Sequence, residues 1–199
     1  MGKAVAALQQ RRRVQKGGYL DLDLDPRRTI MKIVTACRAL VGNDEECESM
    51  PIFAPGDDVW AAANHDSDAI YGRGQPAILN YASKDSNKAR GVVDGWYETY
   101  GNADVNECMR GYDTKVLHCD EYPFMSTAQG GPGASLRVIN RTDNIKEGAR
   151  LEGFYNTCDL KNPIDDQGDT KKFIVIPIQG PMRGFGFNSA AWCGSEAAE

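Results

Sequence analysis

The sequence predicts an α+β fold: a small antiparallel sheet with a hairpin-helix core and additional N-terminal helices. From residue 115 onward the pattern reads strand, glycine loop, strand, helix and strand. A chain of 199 residues with 41% hydrophobic content is long enough to bury one core. The sequence contains no internal repeat.

The N-terminal half begins with a segment that we separate from the domain. Residues 1–24 join a short basic stretch to an alternating acidic one and are treated as an appendage, so that the domain is predicted over 25–199. The stretch "DPRRTIMKIVTACRALVG" predicts a helix with proline in its first turn and glycine at its end. Residues 43–85 are rich in Asp, Asn, Gly and Pro and are predicted to be mostly irregular. A second helix is expected over 86–97.

The C-terminal half supplies the predicted sheet. The segments 115–119 and 134–140 are expected to pair as a hairpin across the "GGPG" turn, and 171–179 carries the strongest strand pattern. Between them, Asp143 or Asn144 is predicted to cap a helix that continues through Tyr155.

The net negative charge of the chain argues against a surface that binds nucleic acid everywhere. The formal net charge is −5 and the sequence pI is about 5.1. Because affinity for polyanions comes mainly from Lys and Arg, a nucleic-acid site on this protein must be local. Short basic runs such as Arg11–Arg13 are read as solvated surface.

The six cysteines point to an oxidising environment. None forms a CxxC pair, which argues against a zinc knuckle or a thioredoxin-type site. We expect three disulfides, rather than free buried thiols, in a secreted, extracellular protein, with the pairing left open. The N-terminal apolar run is too short for a signal peptide, so we expect either a signal already removed or a larger precursor. No apolar stretch is long enough to span a membrane. We expect the protein to be a monomer.

Acidic and amide side chains converge on the predicted hairpin. Asp120 and Glu121 follow the first strand, and Asn144 opens the helix. Hard divalent ions prefer such oxygen ligands, and Mg²⁺ keeps several waters. If the strand continues through residue 121, only one of the two carboxylates faces the site. Glu152 lies about 12 Å along the helix from Asn144 at 1.5 Å per residue, so it is expected to hold a metal-bound water.

Two quoted stretches then carry a family resemblance. "CDEYPFMSTAQGG" followed by "LRVINRTDNIKEGARLEGFY" resembles the NucA/NucB family of extracellular deoxyribonucleases. The upstream "HDSDAIYGRGQPAILNY" is similar to the segment that often precedes this signature. The resemblance covers roughly residues 62–178 and is most specific over 119–155.

The resemblance implies a ββα-metal-type nuclease that cuts DNA with Mg or Mn and without strong sequence preference. Asp120 would be the general base and Asn144 a metal ligand, with Glu152 at the position of a helix glutamate. Glu121 is left between a catalytic role and a salt bridge. Arg141 is our choice over Arg150 as a donor to the phosphate.

Other interpretations remain open on the sequence alone. Without the resemblance, Asp120 and Glu121 would be ordinary loop carboxylates and Asn144 a helix cap. His118 shares a strand face with Asp120 and could assist it, whereas His65 could fix the upstream segment structurally. The sequon at 140–142 would place a glycan beside the site. The alternatives to a secreted nuclease are a nuclease toxin domain with a cognate inhibitor protein, or an inactive disulfide-stapled binding module.

Overall fold

The fold is known from a computed structural model. It describes residues 26–42, 44–89, 91, 108, 111–162, 171–178 and 188–194. The predicted appendage, 1–24, lies outside the described residues, so the domain boundary stays a prediction. Among the described residues, no helix combines the length and the apolar character that crossing a bilayer requires.

Four short strands form the main sheet: β1 (Ile52–Ala54), β2 (Ile78–Asn80), β5 (Lys172–Val175) and β6 (Ala190–Trp192). Their order in the sheet is β2–β5–β1–β6. β1 and β5 are parallel, and the other two pairs are antiparallel. β5 confirms the strand predicted over 171–179. It is a nearly continuous apolar run because both faces of this central strand are covered.

Helices cover one face of this sheet. α1 (Pro26–Val41) confirms the predicted N-terminal helix, and α2 (Asp44–Ser49) follows it after a short break. The buried residues Ile33 and Cys37 of α1 pack with Ile52 and Ile174 of the sheet. This cluster forms one of the two main parts of the core.

The prediction that 43–85 is mostly irregular is wrong. Besides α2, β1 and β2, this segment forms a 3₁₀ turn (Asp57–Val59), α3 (Trp60–Ser67), a π-helical turn (Asp68–Gly72) and the start of α4 (Lys84–Ala89). The strands are only three residues long, too short to show alternation. α3 buries polar as well as apolar side chains, so it lacks an amphipathic stripe. The helix predicted over 86–97 is present over its first residues as α4, and residues 90 and 92–97 lie outside the described residues.

A separate hairpin and a long helix complete the fold. β3 (Leu117–Tyr122) pairs antiparallel with β4 (Ser135–Asn140), and α5 (Arg141–Thr157) follows at once. The predicted order of elements and the α+β class are therefore confirmed. β3 runs three residues beyond its predicted end, so Asp120 and Glu121 belong to the strand rather than to a loop.

The predicted helix cap needs correction. The N-cap is Asn140, whose side-chain oxygen accepts a hydrogen bond of 2.8 Å from the backbone N–H of Asp143. The reason is that β4 passes directly into α5 without a loop. Asp143 and Asn144 consequently lie inside the first turn of the helix, where their side chains contact α3 and the hairpin.

An aromatic cluster joins the hairpin and α5 to the other face of the sheet. Phe154 and Tyr155 of α5 pack with Phe53 and Phe173 of the sheet and with Tyr122 at the end of β3. The loop after β3 folds tightly over this cluster. At Gly130 a Cβ would overlap the backbone of Phe124, so no larger residue fits there.

Three disulfides confirm the expectation from the cysteine count: Cys37–Cys47, Cys108–Cys119 and Cys158–Cys193. The first ties α1 to α2, and the third ties the end of α5 to the segment after β6. Cys119 directly precedes Asp120 in β3, so the second fixes the strand that carries this carboxylate.

We expect the Cys158–Cys193 bridge to contribute most to stability. It spans 35 residues, against 10 for Cys37–Cys47. Loop-closure entropy then gives about 4 kcal/mol for the longer loop and about 3 kcal/mol for the shorter one. Denaturant unfolding of the two paired Cys→Ala variants measures the difference, and an equal or larger loss from the shorter loop would contradict it.

Candidate active site

The site forms where the hairpin meets α3 and α5. Both helices contact β3 and β4, and Asp143 fastens them together. Its Oδ2 accepts a hydrogen bond of 2.9 Å from the backbone N–H of Ala61, in the first turn of α3. A carboxylate is favourable at this position because the N-terminal end of a helix carries partial positive charge. The contact holds the inner faces of the two helices against the same side of the hairpin.

Asp120 projects from β3 onto that side. It is only 5% exposed. Its Oδ2 lies 2.7 Å from Nδ1 of His65, a fully buried residue of α3. Asn144 of α5 approaches the other oxygen: its Nδ2 donates to the Cys119 carbonyl at 3.0 Å and lies 3.4 Å from Asp120 Oδ1. Asp120 is therefore oriented from both helices.

A chain of hydrogen bonds continues from His65 toward solvent. Nε2 of His65 lies 2.9 Å from the hydroxyl oxygen of Ser135, and that oxygen accepts a bond of 3.1 Å from Arg73. One assignment of protons satisfies every partner. Arg73 donates to Ser135, Ser135 donates to His65 Nε2, and His65 Nδ1–H donates to Asp120. The chain supplies Asp120 with a hydrogen-bond donor that fixes the orientation of its carboxylate.

Two further carboxylates lie beside Asp120. Asp66 of α3 and Glu147 of α5 are both buried, and one oxygen from each lies within 4.8 Å of the others and of an Asp120 oxygen. Apart from the two carboxyl groups themselves, which can share a proton, no donor among the described residues reaches either oxygen of Asp66 or Oε1 of Glu147. Burial, followed by repulsion from Asp120, raises the pKa of Asp66 well above its usual value. Burial and the charges of Asp66 and Asp120 raise the pKa of Glu147 in the same way.

The residues present fit a divalent cation. Three carboxylate oxygens converge, and buried acceptors without a donor are costly unless a cation or protons compensate them. Hard ions such as Mg²⁺, Mn²⁺ and Ca²⁺ take oxygen ligands of this kind. Asn144 uses its Nδ2 toward the hairpin, which leaves the amide oxygen as a possible fourth ligand.

The structure brings together some of the predicted site residues and separates others. Asp120 and Asn144 lie side by side, and their roles as base and metal ligand stay predictions. Glu121 lies on the opposite face of β3, since β3 stays extended through Tyr122. Glu152 is 57% exposed and forms an ion pair with Lys161.

The two arginines considered as phosphate donors also lie apart. Arg141 is exposed at the first position of α5, one turn before Asn144. Arg150 forms an ion pair of 3.0 Å with Asp58. Asp58 also accepts hydrogen bonds from the backbone and hydroxyl of Ser189, so Arg150 helps to fix the 3₁₀ turn to α5.

Sequence reasoning missed Asp66 and Glu147 and gave His65 only a structural role. Glu147 had a usable signal, because it lies three residues after Asn144 and so shares its helix face. Asp66 adjoins His65 in the upstream segment that carries the resemblance. The residues that the two contact are distant in sequence: His65 lies 55 residues before Asp120.

Fold and site together define a disulfide-bonded α+β protein with a buried acidic centre between a hairpin and two helices. Residues 69–167 match the family model described as Deoxyribonuclease NucA/NucB, and the chain belongs to this family. The matched segment contains Asp120, Asn144 and Glu147 and begins shortly after Asp66. It lies within residues 62–178, the part of the chain that resembles the family in sequence. No curated protein matches the chain. Family membership indicates a DNA nuclease, a phosphodiester hydrolase.

Proposed function

We propose that this protein is a metal-dependent endonuclease that hydrolyses DNA phosphodiester bonds without strong sequence preference, with Asp120 as the general base. The observation that carries the proposal is the buried cluster of Asp120, Asp66 and Glu147 on the hairpin-helix core. Membership of a deoxyribonuclease family supplies the substrate class. Three disulfides support a secreted, extracellular setting.

Asp66 and Glu147 would hold the cation, with Asn144 as an additional ligand through its amide oxygen. Mg or Mn is the expected ion, since all the donors are hard oxygens. When bound, the ion offsets negative charge that develops on the phosphate and the leaving oxygen. The proposal replaces Glu152 with Glu147, because Glu147 lies beside Asp120 whereas Glu152 is paired with Lys161.

Asp120 is suited to take the proton of the attacking water. Its Oδ2 is occupied by His65, so the proton is transferred to Oδ1, the oxygen that faces Asn144. The water oxygen then bonds to phosphorus, and the ester bond to one deoxyribose oxygen breaks; that oxygen keeps the electron pair and takes a proton from solvent. His65 and Asn144 do not react; they fix the direction in which Asp120 accepts the proton.

Digestion of supercoiled plasmid by the oxidised protein tests the proposal. With Mg²⁺ or Mn²⁺ we expect nicked and linear DNA and then a broad distribution of fragments, and with excess EDTA we expect intact plasmid. A single-stranded DNA and an RNA of equal length establish the substrate preference. If the fully disulfide-bonded protein cleaves no DNA with either ion, the proposed nuclease activity is contradicted and a binding module is favoured.

A further inference from the structure

Arg73 stands at the outer end of the hydrogen-bond chain that leads to Asp120. Ser135 and His65 are buried, whereas Arg73 is exposed. Its guanidinium therefore lies where the chain from the buried carboxylate reaches solvent. The family resemblance assigned no role to this residue, and the sequence reasoning favoured Arg141 instead.

The backbone around Arg73 is well fixed. The π-helical turn Asp68–Gly72 continues α3 directly to Arg73, so this residue belongs to the same rigid element as His65 and Asp66. On the other side, Gln75 donates from its backbone to the Ala69 carbonyl at 2.9 Å. The Gln75 side chain also donates to the Gly133 carbonyl at 3.0 Å, in the loop that leads into β4. The guanidinium is thus anchored beside Ser135.

Most donors of Arg73 remain available for a ligand. A guanidinium has five N–H groups, and the bond to the Ser135 hydroxyl uses one. Among the described residues, no carboxylate forms an ion pair with Arg73. Two other arginines differ in this respect: Arg137 pairs with Asp68 at 2.8 Å and Arg150 with Asp58 at 3.0 Å.

The charge of the site favours such a group, even when one divalent cation offsets part of it. Three carboxylates at the centre and a net charge of −5 repel a phosphodiester. A guanidinium at the rim can offset this repulsion and can bind two phosphate oxygens at once. Resting on the proposed nuclease function, we propose that Arg73 binds the phosphate that is cleaved and is a catalytic residue of this site.

Two roles for Arg73 predict different kinetics. An arginine that binds the reacting phosphate acts through its own charge, and its removal lowers kcat more than it raises KM. An arginine that only orients Ser135 acts through the chain, and its removal has no further effect once the Ser135 hydroxyl is gone.

The experiment compares Arg73→Gln, Arg73→Lys, Ser135→Ala and the double variant Ser135→Ala/Arg73→Gln. Steady-state cleavage of a fluorescent DNA duplex with Mg²⁺ or Mn²⁺ gives kcat and KM for each protein. We expect Arg73→Gln to lower kcat by about 100-fold, as loss of one donor to a reacting oxyanion does. Arg73→Lys should recover part of this loss. The kcat of the double variant should be lower than that of Ser135→Ala by the same factor.

A matched control is Lys172→Gln, which removes one positive charge at an exposed position where β5 begins. It should remain within about twofold of wild type, the range expected for a distant surface charge. An active wild type with an Arg73→Gln variant within that range would overturn only the role of Arg73. An effect confined to KM, or one that disappears in the Ser135→Ala background, would also overturn it. An inactive wild type would instead remove the proposed function itself.

Discussion

Replacing Asp120 with asparagine is expected to lower metal-dependent DNA cleavage by about 10² to 10⁴-fold, the usual contribution of a general base. The amide keeps an oxygen that can accept from His65, so the buried imidazole retains its partner. It cannot take the proton from the attacking water. Initial rates of plasmid nicking measure the loss, and melting temperatures of both proteins show that the fold is kept.

Asp120→Ala is the harsher companion variant. It removes the base but also leaves Nδ1 of the fully buried His65 without its acceptor, which costs about 1 to 3 kcal/mol of stability. Glu48→Gln is the control for charge, since Glu48 is exposed on α2. If both Asp120 variants still cleave DNA, the protein is a nuclease but Asp120 is not its general base.

The part of the site that could be predicted from sequence is local. Asp120 on β3 and Asn144 on α5 are 24 residues apart, and only one loop and β4 lie between these two elements. Alternation along β3 places Asp120 on the inner face and Glu121 on the outer face once the strand is known to continue. Short-range patterns therefore predict that these two residues lie close together, whereas their selection as site residues depended on the family resemblance.

The other half depends on contacts that are distant in sequence. α3 delivers His65 and Asp66 from a segment predicted to be mostly irregular, because this buried helix has no polar face to reveal it. The choice between Glu147 and Glu152 depends on the rotation of α5 against the hairpin. That rotation is fixed by buried Leu151, Phe154 and Tyr155, which pack on the sheet and hairpin. Single-sequence periodicity does not report such packing.

Glu147→Gln is expected to abolish metal-dependent cleavage and, without metal, to stabilise the protein. In EDTA near neutral pH the wild type has buried, adjacent carboxylates with no cation to compensate them. Removing one of the potential charges should raise the free energy of unfolding by about 1 to 3 kcal/mol. A gain of stability with a loss of activity separates a metal ligand from an ordinary core residue.

The pH dependence of this gain follows from the two raised pKa values. The usual values are 3.8 for Asp66 and 4.5 for Glu147, and both are higher in the folded protein. Above the usual values the folded protein holds more protons than the unfolded chain, so its stability falls as pH rises. The advantage of Glu147→Gln over wild type should therefore be small near pH 4 and grow toward neutral pH. Thermal unfolding in EDTA across this range measures it.

Glu152→Gln is the matched control for stability, because it removes the same charge from the same helix at an exposed position. It should give no comparable gain in EDTA, since solvent already stabilises that carboxylate. Mg²⁺ or Mn²⁺ should raise the melting temperature of wild type and of Glu152→Gln but not that of Glu147→Gln, because a ligand stabilises only the state that binds it. The reverse pattern, with the metal response lost in Glu152→Gln and kept in Glu147→Gln, would return the ligand role to Glu152.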